Sequence, residues 1–147
     1  MTTESEAPAV IVGVDGSAES VRALQWAARY AADTGAHLRA VLCWHYPGTL
    51  GVAPIGKAPE PVTDEVRQHL DETLAKAIAD GAPDAEVERQ LEYGHPAQCL
   101  VDQSQRADLL VVGHRGHGAV TGRLLGSVSI HCVMHAACPV VIVRSGT

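Results

Sequence analysis

The sequence contains no phenylalanine, and aromatic residues make up only 3% of its 147 positions. The core must therefore be packed from Val, Leu, Ile and Ala, a supply that suits buried parallel strands under close-fitting helices. Lysine is scarce as well: Lys57 and Lys76 are the only two, and the formal net charge is −6. With no basic patch to neutralise a phosphate backbone, nucleic-acid binding is not expected. No apolar run reaches the roughly 18 residues of a membrane span, and the polar, acidic start MTTESEAP has no basic n-region. The expectation is a cytoplasmic protein without signal peptide or membrane contact. Cys-x-x-Cys is absent too. Cys43, Cys99, Cys132 and Cys138 lie scattered among apolar neighbours, which reads as buried free thiols ahead of a disulfide or a zinc site.

What is present is 46% apolar residues, enough for one domain with a two-sided core spanning residues 1–147. Residues 1–7 are expected to be a flexible N-terminus. Ala9–Val14 (AVIVGV) reads as a buried strand running into the turn Asp15-Gly16-Ser17. Ser17 can cap a helix in which Val21, Leu24, Ala28 and Ala31 recur at helical spacing, closed by Gly35. Leu38–Trp44 is a second strand. The segment His45–Pro61 carries Pro47, Pro54, Pro59 and Pro61 with three glycines, and is expected to be a long loop. A second helix is expected over Asp64–Asp80, capped by Thr63 or Asp64, with Val66, Leu70, Leu74, Ala77 and Ile78 on its inner face. Ala85–Tyr93 alternates as an edge strand. A short helix over Ala97–Gln105, a strand over Asp108–Val112, a helix over Ser127–Ala137 and a strand over Pro139–Arg144 complete the chain. In the last helix Ile130, Val133, Met134 and Ala137 are expected to face inward.

Strands and helices thus alternate, which implies an α/β domain: a doubly wound, three-layer arrangement with a parallel five-stranded sheet and helices on both faces. If the first strand lies at the centre, the second and third fall to one side and the fourth and fifth to the other. The strand order then reverses between the first and fourth strands, where ligands of such sheets bind. Asp15 and Gly113 end those two strands.

The stretch after the fourth strand is rich in glycine: Gly113-x2-Gly116, nine further residues, then Gly126-Ser127 at a helix start. Glycine admits a close approach of the backbone to an anion, and helix-start amides supply donors and dipole. Arg115 and Arg123 are the fixed positive charges nearby. The same residues can also simply end a strand, turn the chain and cap a helix. Two better-known phosphate patterns fail. Gly51 to Lys57 has P-loop spacing, but Ala58 stands in place of the metal-binding Ser/Thr, and Pro59 and Pro61 are read as forbidding the helix that must follow. Gly116-His117-Gly118 follows the wrong strand for a dinucleotide fingerprint, and no acid follows Asp108 to hold a ribose. His131 and His135, at i and i+4, read as a polar helix face and not as metal ligands. Cys99 and Cys132 have no local basic partner to activate them, and no nucleophile, base and orienting group stand together.

These residues resemble the universal stress protein family, in its ATP-binding subclass. The similarity runs from Val10 to Arg144 and rests on Gly113, Gly116, Gly126 and Ser127, with VGVDGS, ADLLVVGHRG, LLGSVS and HAACPVVIV around them. It implies a parallel sheet in the order 3-2-1-4-5 with ATP, accompanied by Mg²⁺ or Mn²⁺, in the crevice. It implies that Gly13, Val14 and Asp15 border the ribose or base, and that Cys43 contributes backbone contacts to adenine. Val112 and Gly113 would face the sugar, and Arg115 and Gly116 the triphosphate. Gly126, Ser127, Val128 and Ser129 would hold phosphates. It implies a regulatory stress-response protein in which nucleotide occupancy tunes dimer or partner interactions. The homodimer would form through the last strand, Val140–Val143, an apolar edge that would otherwise be open. The alternatives are a slow ATPase or autophosphorylating protein, working through Ser127, Ser129 and Asp15, and a sensor of cyclic AMP or another adenine nucleotide.

Overall fold

Ala9–Val14 (β1) is a β-branched run whose Val10, Ile11 and Val12 are 1%, 0% and 0% exposed. A strand shielded this fully on both faces must lie at the centre of its sheet. The computed structural model of the chain describes residues 7–44, 60–83, 86–114 and 125–144, and it places β1 there. The element order is β1, α1 (Ala18–Thr34), β2 (His37–Trp44), α2 (Glu60–Ala79), β3 (Val87–Tyr93), α3 (Pro96–Ser104), β4 (Leu109–Gly113), α4 (Ser127–His135) and β5 (Val140–Val143). The strands form one sheet in the order β3-β2-β1-β4-β5, and every pairing is parallel. β1 is in register with β2 through Val14 opposite Leu42, and with β4 through Ile11 opposite Leu110.

Alternation along the central strands feeds two cores. Val10, Val12 and Val14 of β1, with Leu38, Ala40 and Leu42 of β2, pack under α1 and α2. Ile11, Val41, Leu110 and Val112 turn the other way, toward Leu100 of α3 and Cys132 of α4. The result is the three-layer, doubly wound architecture expected from the alternating pattern. α1 carries its predicted face: Val21, Leu24, Ala28 and Ala31 are all buried. It is capped by the Ser17 side chain accepting from the Ser20 amide, and ends at Gly35 in the left-handed conformation (φ 75°).

Two helices depart from expectation. α2 starts at Glu60, not at a cap on Thr63 or Asp64. Pro61 therefore lies in its first turn, where a missing N–H costs nothing because that donor has no intrahelical partner. Pro61 does not forbid a helix, so the argument against a P-loop rests on Ala58 and Pro59; residues 51–59 lie outside the described residues. At the other end of α2, Ile78 is 44% exposed and leaves the inner face to Leu70, Leu74 and Ala77.

The larger correction is α4. Ile130, Val133 and Met134 are 39%, 53% and 71% exposed, and Ala137, one residue past the C-cap, is exposed as well. The inner face belongs to Ser129 and Cys132. Small side chains fill the inner face of this short helix, which packs against α3 and β5, with Cys132 wholly buried in one cluster with Ile11, Leu110 and Val112. The larger apolar residues are left pointing away from the sheet.

Candidate functional site

The strand order reverses between β1 and β4, and the carboxyl ends of both strands open into short turns. On the β1 side, Asp15 Oδ1 accepts from both the amide (2.9 Å) and the hydroxyl of Ser17. This Asx-type turn leads into α1 through Gly16 at φ 86°. His69 of α2 lies over the turn, its Nε2 3.5 Å from the Asp15 carbonyl oxygen. A Cβ on Gly16 would meet the movable His69 ring, so it is the positive φ that calls for glycine here.

On the β4 side, Gly113 lies against the first turn of α1. A Cβ there would stand 2.9 Å from the Glu19 carbonyl oxygen, closer than real Cβ contacts allow. The next residue, His114, is only 7% exposed, and its Nδ1 is 3.3 Å from Glu19 Oε1. The Glu19–His114 pair ties the start of α1 to the end of β4 across the point of reversal. The amide of Gly126 then donates to the His114 carbonyl oxygen at 2.6 Å, and the Ser129 hydroxyl donates to the Gly113 carbonyl oxygen at 2.6 Å. These two bonds draw the N-terminus of α4 against the end of β4.

At that N-terminus Gly126 is the N-cap in extended conformation, no side chain among the described residues caps the helix, and its first turn has no acid. The amides that open a helix have no intrahelical acceptor, and here they present partial positive charge to the crevice. An anion fits this end of α4, and the residues predicted to hold one are here: Gly126 is buried, Ser127 exposed and Val128 half-buried. Ser129 stands apart from them. It is 3% exposed and its hydroxyl proton is directed at Gly113, which makes it a brace for the loop. Ser129→Ala is expected to destabilise the protein by about 1 kcal/mol, measured by urea unfolding.

Of the other predicted residues, Gly13 and Val14 end β1 with Asp15 in the turn just after it, and Val112 and Gly113 end β4, so the fold places these at the strand reversal. Cys43 is near the end of β2, one strand over, half-buried with its thiol on the α3 side. Arg115 and Gly116 lie outside the described residues. Glu19, His69 and His114 were not anticipated. Glu19 is signalled only by being an acid in the first turn after Asp15-Gly16-Ser17, and His114 only by following Gly113. His131 and His135 pack ring to ring at 4.6 Å, and among the described residues no three His, Cys, Asp or Glu side chains gather as a metal site. No helix among the described residues is long and apolar enough to cross a membrane.

The fold and the crevice define a doubly wound parallel α/β protein with a glycine-capped helix start at its strand reversal. Comparison with known proteins is consistent with this geometry. The model of the universal stress protein family matches residues 8–144. A universal stress protein of Mycolicibacterium smegmatis is 38% identical over 135 residues, covering 92% of this chain and 45% of that relative. One of Mycobacterium tuberculosis is 37% identical over 139 residues, with the same coverage. The chain thus spans about half the length of these curated relatives. Among solved structures, a universal stress protein in complex with cAMP is 31% identical, with a TM-score of 0.70, over 97% of this chain and all of that one. A universal stress protein of Archaeoglobus fulgidus in complex with dAMP shares the fold at 24% identity and a TM-score of 0.64, over 92% of this chain and 96% of that one. This chain belongs to the universal stress protein family.

Proposed function

We propose that this chain is a cytoplasmic ATP-binding regulatory protein of the stress response, with the nucleotide seated between the ends of β1 and β4. The observation that carries the reading is the uncapped, acid-free N-terminus of α4, held by Gly126 and Ser129 against the end of β4. Phosphates would sit beside Gly126 and take the amides of Ser127 and Val128 and the Ser127 hydroxyl, with Arg115 and Gly116 completing the triphosphate site. Gly13, Val14, Asp15, Val112 and Gly113 would border the sugar, and the backbone at Cys43 would meet the base. No cluster of three ligating side chains forms among the described residues, so Mg²⁺ or Mn²⁺ would arrive on the nucleotide's own phosphates. Micromolar affinity corresponds to about −8 kcal/mol. Isothermal titration with ATP and Mg²⁺ tests the reading: saturable one-to-one binding supports it, and no heat at millimolar ATP rejects it. A second reading, cyclic AMP, is favoured by the cAMP complex of the 31% identical neighbour. Displacement of bound ATP by equimolar cyclic AMP would favour that ligand.

We also propose that occupancy is read out through a homodimer formed along β5. β5 is an edge strand, Val140–Val143 are only half-buried, and Ile130, Val133 and Met134 add an exposed apolar face on α4. Pairing with a second copy would cover that edge. Val133→Asp/Met134→Glu is expected to convert the dimer to monomer without unfolding it. Light scattering behind size exclusion checks this, and a monomeric wild type rejects the dimer.

A further inference from the structure

The two faces of the sheet are covered unequally. α1 has 17 residues and α2 has 20, lengths of about 25 and 30 Å, enough to run the full length of a strand. α3 has nine residues, about 13 Å, against about 26 Å for the eight residues of β2 on which it packs. α3 starts from the turn at the carboxyl end of β3, where the Gly94 amide donates to the Trp44 carbonyl oxygen at 2.7 Å. It therefore runs out about halfway along, and leaves the amino ends of β2 and β3 uncovered on that face. A cavity of about 660 Å³ opens there, at the opposite end of the sheet from the crevice between β1 and β4. Its size is within the range of small-molecule sites, about 300–1,000 Å³.

The register explains its lining. Ile11, Arg39 and Glu88 form one row across β1, β2 and β3, and Ala9 and His37 belong to the next row toward the amino ends. Ile11 packs toward α3 and α4, so by alternation Arg39, Glu88 and His37 are on that side as well. Glu86 lies just before β3 and Arg106 just past the end of α3. Arg106 enters from the β1 side, because Asp108, two residues later, donates its amide to the Ala9 carbonyl oxygen and accepts from the Ala9 amide through Oδ2, both at 2.8 Å. His37, Arg39, Glu86, Glu88 and Arg106 all line the cavity, and their charges are incompletely matched. Arg39 Nε is 3.4 Å from Glu88 Oε1, yet it is buried with no hydrogen-bond partner among the described residues. Arg106 and Glu86 join no ion pair among the described residues. Positive charge thus stands on the β1 side and negative charge on the β3 edge, with Arg39 between them.

We propose that this cavity is a second ligand site, for a short zwitterionic peptide of about three residues. A simple anion would meet Glu86 and Glu88, and a simple cation would meet Arg39 and Arg106. A ligand with a carboxylate at one end and an ammonium at the other matches both signs. The peptide's carboxylate takes Arg106 and Arg39, whose planar guanidinium groups suit the two oxygens of a carboxylate. Its ammonium takes Glu86. The span agrees with this occupant: β1 and β3 lie two strand spacings apart, about 10 Å, and three extended residues reach about 10 Å. A single amino acid is too short to meet both ends. None of this depends on nucleotide in the crevice.

Isothermal titration of the full chain with tri-alanine tests the site, and saturable one-to-one binding is the expected result. N-acetyl-tri-alanine and tri-alanine amide each lack one terminal charge. Each should bind about tenfold more weakly, the worth of one hydrogen bond to a charged group, and free alanine should bind more weakly still. Arg106→Ala and Glu86→Ala should each weaken tri-alanine binding by about the same factor. Both should leave the melting temperature unchanged, since these side chains are exposed. Absence of heat at millimolar tri-alanine overturns the proposal. So does equal affinity for the blocked peptides, which would remove the charge pairing. Binding of inorganic phosphate in place of the peptide also overturns it, because the cavity would then be an anion site. The blocked peptides are titrated into wild-type protein, so they decide the matter even where a variant folds poorly.

Discussion

Gly126→Asp is expected to weaken ATP binding by about 100-fold, close to 3 kcal/mol, because a fixed carboxylate would face phosphates across a site with few balancing charges. The change is informative because it should not unfold the protein through the helix. Gly126 is an N-cap at φ −76° and ψ 167°, a conformation open to any residue, and Asp is among the best N-caps. Its carboxylate would accept from the α4 amides, where no side chain of the native helix does so. The variant would thus fill the anion site with its own side chain. Calorimetry should show lost binding beside a melting temperature equal to or above that of wild type. Wild-type affinity in this variant would remove the helix start from the nucleotide site. Loss of both fold and binding would instead mean that the Gly126 amide bond to His114 (2.6 Å) had been broken. Ser127→Ala, which keeps every amide, should weaken binding only about tenfold, the worth of one hydrogen bond to a charged group.

Why some of this was legible before the structure, and some not, follows from how local each signal is. β1, α1 and β2 were readable because their apolar spacing, the Ser17 cap and the Gly35 terminator all lie within the segments they control. Alternation gives the parallel sheet, but the reversal between β1 and β4 follows only if β1 is central, which is the order the family resemblance implies. The start of α2 is hidden by Pro61, which reads as a breaker although a first-turn proline breaks no bond. The face of α4 is hidden because its large apolar residues point to the core by type, while Ser129 and Cys132 fill that place. A helix with apolar residues on two faces has no single stripe for periodicity to find. Contacts across the fold left no local trace at all. Glu19 and His114 are 95 residues apart and meet only because α1 packs across β1 and β4, which lie side by side in the sheet.

Leu110→Ala is expected to destabilise the protein by about 2–5 kcal/mol, seen as a lower urea midpoint at unchanged slope. Leu110 is 0% exposed on a strand flanked by β1 and β5, and it packs with Ile11, Val41, Leu100 and Cys132. Strands paired on both sides cannot close around a lost isobutyl group, so most of its volume should remain as a cavity. The loss should also be the same at any protein concentration, because the contacts are made within one chain. Met134→Ala provides the contrast. Were α4 oriented as its apolar spacing suggests, this truncation would cost as much as a core deletion. With Met134 71% exposed, it should cost under about 0.5 kcal/mol in dilute protein. If the α4 face covers a second copy, the cost should grow as protein concentration rises, since association stabilises by mass action. The two truncations, each measured at low and high concentration, therefore separate the core face of the molecule from its pairing face. A concentration-independent loss of several kcal/mol at Met134 would return that residue to the core and take away the apolar face proposed to meet a second copy.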